Sequence, residues 1–177
     1  MKNLFLFASI LLASGVLFTN IYNSMVDVRS WGADIPQSIE AARQYFKSAN
    51  PGDFFRIFSP INQVLGLVVL ILFWKTHPGS RLYLGVALVI YVLGDVITFT
   101  YFYPRNDIMF KTASLTDIDT IKKVWQEWNS MNWVRSFIIF VGLICSCLAL
   151  HKIYFTNSIR QKDLDLSRSS YQEILER

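Results

Sequence analysis

The sequence predicts an all-α fold: an integral membrane four-helix bundle with short outer helices and a fourth helix extended beyond the membrane. Three observations predict it. The 177 residues are 53% hydrophobic and only 17% charged, against roughly 25% charged in soluble domains. The apolar residues gather into four blocks, about 4–22, 57–74, 82–102 and 132–155, each near the ~20 residues that cross a bilayer. Within the first three blocks the only formal charge is Asp95. Lipid offers the backbone no hydrogen-bond partner, so such blocks are helices. This composition excludes disorder, which needs low hydrophobicity and high charge, and it argues against an ordinary soluble enzyme. Residues 1–156 read as one four-span domain and 157–177 as a polar tail.

Taken in order, the first block begins at Leu4 behind Lys2. Lys2, Leu4–Leu12 and Ala13-Ser14-Gly15 have the order of a secretory signal. The apolar run continues through Val16-Leu17-Phe18, which favours a retained span. In the first loop, Pro36 suits a first helical position and Ser38–Ser48 is a helical run. Asn50-Pro51-Gly52-Asp53 reads as a turn. Ser59-Pro60 reads as N-cap and first residue of the second membrane helix, with Gln63 near the capping-box position. After a short loop, the third block runs to Pro104, which is expected to end it. Thr116-x-x-Asp119 looks like a capping signal. Ile118, Ile121, Trp125, Trp128 and Asn132 follow at helical spacing. One long helix from about Asp117 to Phe155 is expected. The tail carries Ile159, Leu164, Leu166, Ile174 and Leu175, as a surface helix or a partly disordered stretch.

Lysine and arginine near the span ends set orientation. The loop from Lys75 to Arg81 holds two basic residues and no acid, Lys2 lies at the N-terminus, and Lys152, Arg160 and Lys162 follow the fourth span. The two long loops are charge-balanced. Both termini are therefore expected in the cytoplasm, with both long loops outward, in the cell or bacterial inner membrane. These basic ends explain a pI near 9.1 without nucleic acid. Four of the five tryptophans, Trp31, Trp125, Trp128 and Trp133, fall on the outer side. They form either an aromatic belt at the headgroups or the roof of a cavity.

Polar residues inside a membrane are expensive and are functional candidates by default. At ~1.5 Å per residue, Asp95, Asn62 and Gln63 lie ~5 Å outward of their span centres, and Asn20 and Arg135 ~10 Å. All four helices thus place amide or charged groups in the same leaflet half. Tyr91, Asp95, Thr98 and Phe102 form one helical stripe; Trp128, Asn132, Arg135 and Ile139 form another. A bundle brings such stripes together. An isolated buried charge costs more than a pair, so Asp95 and Arg135 are expected partners. They either tie two helices together or line a polar pocket with apolar walls.

Other chemistry finds little support. Cys145 and Cys147 point roughly 200° apart on one helix and read as inert thiols. His77 and His151 stand at span ends far from Asp95, so no metal centre is expected. No Gly-rich phosphate loop and no Gly-x-Ser-x-Gly occurs. No cofactor is expected.

Tyr103-Pro104-Arg105-Asn106 after the third span, then Trp128-x-x-x-Asn132-x-x-Arg135 entering the fourth, resemble the anthrone oxygenase-like family of small four-span membrane proteins. Phe58-Ser59-Pro60 matches a further proline near the second span. The resemblance implies a four-helix membrane bundle and, in characterised members, oxidation of a polycyclic anthrone to a quinone without metal or flavin. The residues it carries over are Pro104, Asn106, Trp128, Asn132 and Arg135; Asp95 enters from its own burial alone. The chemistry needs a base, an oxyanion partner and a dry pocket. Asp95 is the candidate base. Arg135, with Asn132 or Asn62, is the candidate oxyanion partner, and Trp128 and Tyr91 are candidate stacking rings. Asn106 completes the candidate binding set.

The favoured reading is a multi-pass membrane protein with an outward-side pocket for a flat, apolar, aromatic small molecule. The competing reading is a non-enzymatic membrane subunit or assembly protein working through its outer loops and tail. A transporter has least support, because the inner half offers no polar path. Membrane lipid is an expected partner. Gly15, Gly66, Gly85, Gly94 and Gly142 suit close helix contact, within the bundle or in a homo-oligomer or with a membrane partner protein.

Overall fold

The computed structural model describes residues 2–111 and 117–175. Its long elements are α1 (Lys2–Trp31), α2 (Gln37–Tyr45), α3 (Pro51–Trp74), α4 (Pro78–Lys111) and α5 (Ile118–Leu175). Four of them, all but α2, are long and apolar enough to cross a membrane. They pack in a ring: α1 on α3, α3 on α4, α4 on α5, and α5 back on α1. Outward-facing Leu11, Phe18, Val64, Ile71, Val89 and Phe137 remain exposed, as a lipid-facing surface requires. This is the expected all-α membrane bundle. One end carries the two long connections and is called the loop end below; the other carries the chain's beginning and the short α3–α4 turn.

Several boundaries depart from expectation, each for a local reason. Helix α1 does not stop at Tyr22 but continues through a π-helical turn, Asn23–Asp27, to Trp31. Helix α2 runs from Gln37 to Tyr45, with Pro36 just outside it as N-cap. Asn50-Pro51-Gly52-Asp53 is a helix start rather than a free turn. Asn50 Oδ1 accepts from the Gly52 N–H at 2.9 Å, and Asp53 Oδ2 accepts from the Asn50 N–H at 2.9 Å. That box, with Pro51 at the first position, starts α3 well before Ser59-Pro60. Pro60 is interior. Pro104 likewise does not end α4. It sits in the turn Tyr103–Asn106 between two π-helical turns, Thr98–Phe102 and Asp107–Lys111. Widened turns of this kind accommodate a residue that lacks an N–H.

Helix α5 begins where the sequence predicts. Thr116 lies outside the described residues. Asp117 accepts from the Thr120 N–H at 3.0 Å and from the Thr120 hydroxyl at 2.6 Å. At its far end α5 passes Phe155 without a break and runs on to Leu175.

The core has three tiers. Near the chain's beginning, Leu6, Val69, Phe73, Leu84, Ala149 and Ile153 close the bundle. In the middle, Ala13, Leu17, Ala87, Tyr91 and Ile139 meet, and Tyr91 Oη lies 3.0 Å from Ser146 Oγ. At the loop end, Val28, Trp31, Ile39, Ala42, Phe102, Met109, Ile121, Val124 and Trp128 form a cap in which α2 is folded over the ends of α1, α4 and α5. Trp125 donates from Nε1 to the Val28 carbonyl at 2.8 Å. Its ring lies so close to Gly32 that a Cβ there would fall 2.1 Å from Trp125 Cζ2. Only glycine allows that approach. Gly142 is also tight, 2.8 Å from Ile90 at a Cβ position, whereas Gly15 and Gly85 face open space. Of the four loop-end tryptophans, Trp31 and Trp128 are buried and only Trp133 is well exposed. The belt reading therefore does not describe Trp31 and Trp128.

Candidate functional site

Between the middle tier and the loop-end cap lies a layer of buried polar side chains. Its centre is Arg135, 7% exposed. Arg135 Nη1 donates to Thr98 Oγ1 at 2.9 Å; Nη2 donates to Asn20 Oδ1 at 2.5 Å and to Asn132 Oδ1 at 2.6 Å. Both amides are held in turn. Asn20 Nδ2 donates to Ser136 Oγ at 2.6 Å, and Asn132 Nδ2 donates to Ser24 Oγ at 2.5 Å. The guanidinium lies over the Phe102 ring at 4.1 Å and faces the Phe55 ring at 5.6 Å. Its Nε–H is buried and makes no hydrogen bond.

The expected Asp95–Arg135 ion pair is not formed; among the described residues, the ion pairs are Arg43–Glu40, Arg56–Asp53, Arg105–Glu127 and Lys111–Asp107. Asp95 Oδ2 instead accepts from Gln63 Nε2 at 2.5 Å. The physical reason is that neutral acceptors and ring faces supply the guanidinium's environment, while a carboxamide on α3 supplies the carboxylate's. The cation thus stands among neutral oxygens and aromatic faces, which stabilise it without neutralising it.

Two hollows adjoin this layer. The larger, about 530 Å³, lies under the loop-end cap; its wall includes Trp31, Arg43, Phe55, Phe102, Asn106, Trp128 and Arg135. The smaller, about 30 Å³, lies deeper, among Ser59, Asn62, Tyr91, Asp95, Thr98 and Arg135. Phe55, Thr98 and Arg135 line both and form the partition. In the deeper chamber the buried Asn62 Oδ1 accepts no hydrogen bond.

The predicted residues therefore divide. Arg135, Trp128 and Asn106 border the large cavity; Asp95, Asn62, Tyr91 and again Arg135 border the small one. Tyr91 is engaged with Ser146 and does not line the large cavity. Asn132 lines neither hollow and acts on Arg135 from behind. Asn106 Oδ1 accepts from Trp128 Nε1 at 2.8 Å, fixing the indole edge. Beside it Arg105 forks onto Glu127 Oε2 at 2.7 and 3.1 Å and stacks on Tyr101 at 3.5 Å. The Pro104–Asn106 segment is thus tied to one turn of α5 at two adjacent positions. Trp31 and Phe102 stand in the predicted tryptophan set and the α4 stripe; Arg43 and Phe55 are not marked from the sequence as site residues. Arg43 had a signal: it falls four residues after Ile39, on the face by which α2 docks. Among the described residues no group of three His, Cys, Asp or Glu side chains is placed to hold a metal ion.

Four apolar helices around a buried polar layer define a multi-pass helical-bundle membrane protein. The anthrone oxygenase family model matches residues 54–145, more than half of the chain. The chain belongs to the anthrone oxygenase family. The matched segment contains Pro104, Asn106, Trp128, Asn132 and Arg135, and also Asn62 and Asp95. No curated protein and no solved structure matches the chain.

Proposed function

We propose that the loop-end cavity binds a flat, apolar, aromatic small molecule and that the protein oxidises it as a cofactor-free oxygenase. The observation that carries this reading is Arg135: a buried cation with an unused Nε–H, set in the partition between an aromatic-walled cavity and a chamber holding a carboxylate. About 530 Å³ falls within the roughly 300–1,000 Å³ of small-molecule sites.

The chemistry follows from an anthrone. Its CH₂ lies opposite a carbonyl, and breaking one C–H leaves an enolate. Arg135, in the partition, stabilises the negative charge that develops on the ring system. The proton passes through the deeper chamber, large enough for a water, to Asp95. General-base transfer through one water is effective. The electron-rich carbon then reduces dioxygen, forming a C–O bond; with the proton returned, this is a hydroperoxide. Cleavage of O–O with loss of the remaining C–H yields the second carbonyl and releases water. One anthrone and one O₂ give one quinone and one H₂O. Trp128, held by Asn106, and Phe102 flank the rings.

The basic residues Lys2, Lys75, Arg81 and Lys152 lie at the end opposite the cavity, so that end faces the cytoplasm by the positive-inside bias. The cavity then opens outward, and the polar stretch 157–177 is cytoplasmic. A second reading, a non-enzymatic subunit, is favoured by one feature: α5 extends past the bundle with Ile159 and Leu164 about half exposed.

The test uses the full chain in detergent with anthrone, in air and under argon, following quinone formation. Wild type is expected to exceed the spontaneous rate only in air. Arg135→Gln and Asp95→Asn are each expected to lose roughly 100-fold or more. Full activity in both variants, or a wild-type rate no faster than buffer, sinks the reading.

A further inference from the structure

The large cavity is more basic than its proposed reaction requires. Arg43, Lys47, Arg56, Lys111 and Arg135 line it, against Asp107 alone. Two of these cations are already paired at the surface, Arg56 with Asp53 at 3.1 Å and Lys111 with Asp107 at 2.7 Å. Arg43 differs. Its Nε donates to the Met109 carbonyl at 2.9 Å, which pins α2 against the end of α4. Glu40 stands 3.5 Å from Nη1, on the exposed side. Nη2 is buried and makes no hydrogen bond. An unsatisfied buried donor of a charged group is costly. Arg135, which is buried, and Arg43, which is half-buried, each carry one.

The two are joined by a wall of rings. Arg135 lies over Phe102. Phe102 meets Trp128 at 5.0 Å, Trp128 meets Trp31 at 5.4 Å, and Trp31 meets Phe110 at 5.0 Å and Phe46 at 6.1 Å. Phe46 stands on the segment that carries Arg43, and Phe110 follows Met109, the residue Arg43 bonds. The aromatic wall therefore begins at one unsatisfied arginine and ends at the other. A flat ligand laid along it meets a guanidinium-bearing side chain at each end.

Resting on the pocket reading above, we propose that Arg43, supported by Lys47, is an anion subsite and that the ligand is a polycyclic aromatic acid bearing a carboxylate remote from the carbon that reacts. Glu40 already offsets part of the Arg43 charge, which suits a monoanion better than a phosphate. A carboxylate also matches the planar donor geometry of a guanidinium.

Two fluorescent probes of the same shape test this on the full chain in detergent: anthracene-2-carboxylate and anthracene-2-methanol. Wild type is expected to bind the carboxylate at least 10-fold more tightly. Arg43→Gln is expected to bring the two affinities within about twofold of each other. Lys47→Gln, at an exposed position, is expected to reduce the preference two- to threefold, which keeps the test decisive if Arg43→Gln fails to fold. Equal binding of both probes by wild type overturns the acid subsite and leaves the pocket standing. A preference that survives both substitutions unchanged also overturns it. Binding of neither probe overturns the pocket reading, and this inference with it.

Discussion

Two halves of one bundle bury their side chains by opposite rules. In the half near the chain's beginning, Leu6, Val69, Phe73, Leu84, Ala149 and Ile153 interlock, and Phe73 is 1% exposed. In the loop-end half, Asn20, Ser24, Asn132, Arg135 and Ser136 are just as buried, and a cavity of about 530 Å³ lies against them. Lipid is as apolar as leucine, so in a membrane the first half gains from packing alone. The second half has a charge to solvate and does so with amides, hydroxyls and ring faces. The closed half holds the helices together; the polar half gives up packing for a cavity and for charged donors left without a hydrogen-bond partner.

The largest effect should come from breaking the closed half. Phe73→Ala leaves a void where the neighbours are fully packed. Because part of the usual transfer cost is absent in an apolar solvent, the loss should fall near the low end of the roughly 3–5 kcal/mol seen for Phe→Ala in cores. Thermal melts in detergent would show it, while the affinity for anthracene-2-methanol stays within twofold of wild type. A large loss of probe binding in this variant would mean that the halves are not separable.

A smaller stability effect, with the opposite functional signature, is expected from Asn132→Ala. It removes the acceptor 2.6 Å from Arg135 Nη2 and the donor to Ser24. A buried group left unsatisfied costs about 1–3 kcal/mol, and the guanidinium loses one of the contacts that aim it. Melting should fall less than in Phe73→Ala, yet the probe should bind at least fivefold more weakly. If probe binding is unchanged, Asn132 does not position Arg135.

The same contrast explains what could be read in advance. The four spans needed only composition, because lipid selects apolar helices whatever their packing. Asp95 and Arg135 stood out because charges are rare in such spans. Their pairing was inferred from the cost of an isolated charge, and that inference failed. Asn20 of α1 and Thr98 of α4 join Asn132 at Arg135, and spacing along one helix does not report contacts that arrive from others. Pro104 was read as a stop because regular α-helix tolerates it poorly; the π-helical turns around it were not visible in residue type. Asn50-Pro51-Gly52-Asp53 suits a turn and a capping box equally. Only the position of the Asp53 carboxylate separates them. Arg43 was counted among balanced loop charges, since nothing in its neighbours' charges marks the one whose donor is buried.

The smallest effect belongs to neither half but to the entrance of α5. Asp117 is fully exposed, and hydrogen bonds from the Thr120 hydroxyl and N–H hold its carboxyl below the usual carboxylate range. A folded-state pKa below the unfolded one means stability that is present above the unfolded value and lost as pH falls through the folded one. Asn still caps a helix but carries no charge for the helix terminus. The difference in melting temperature between wild type and Asp117→Asn should therefore be small, widest at neutral pH, and closed in acid. The same comparison in a Phe73→Ala background should give the same small gap, because the two sites share no contact. A gap that widens as pH falls would show that Asp117 is stabilised by something other than its bonds to Thr120.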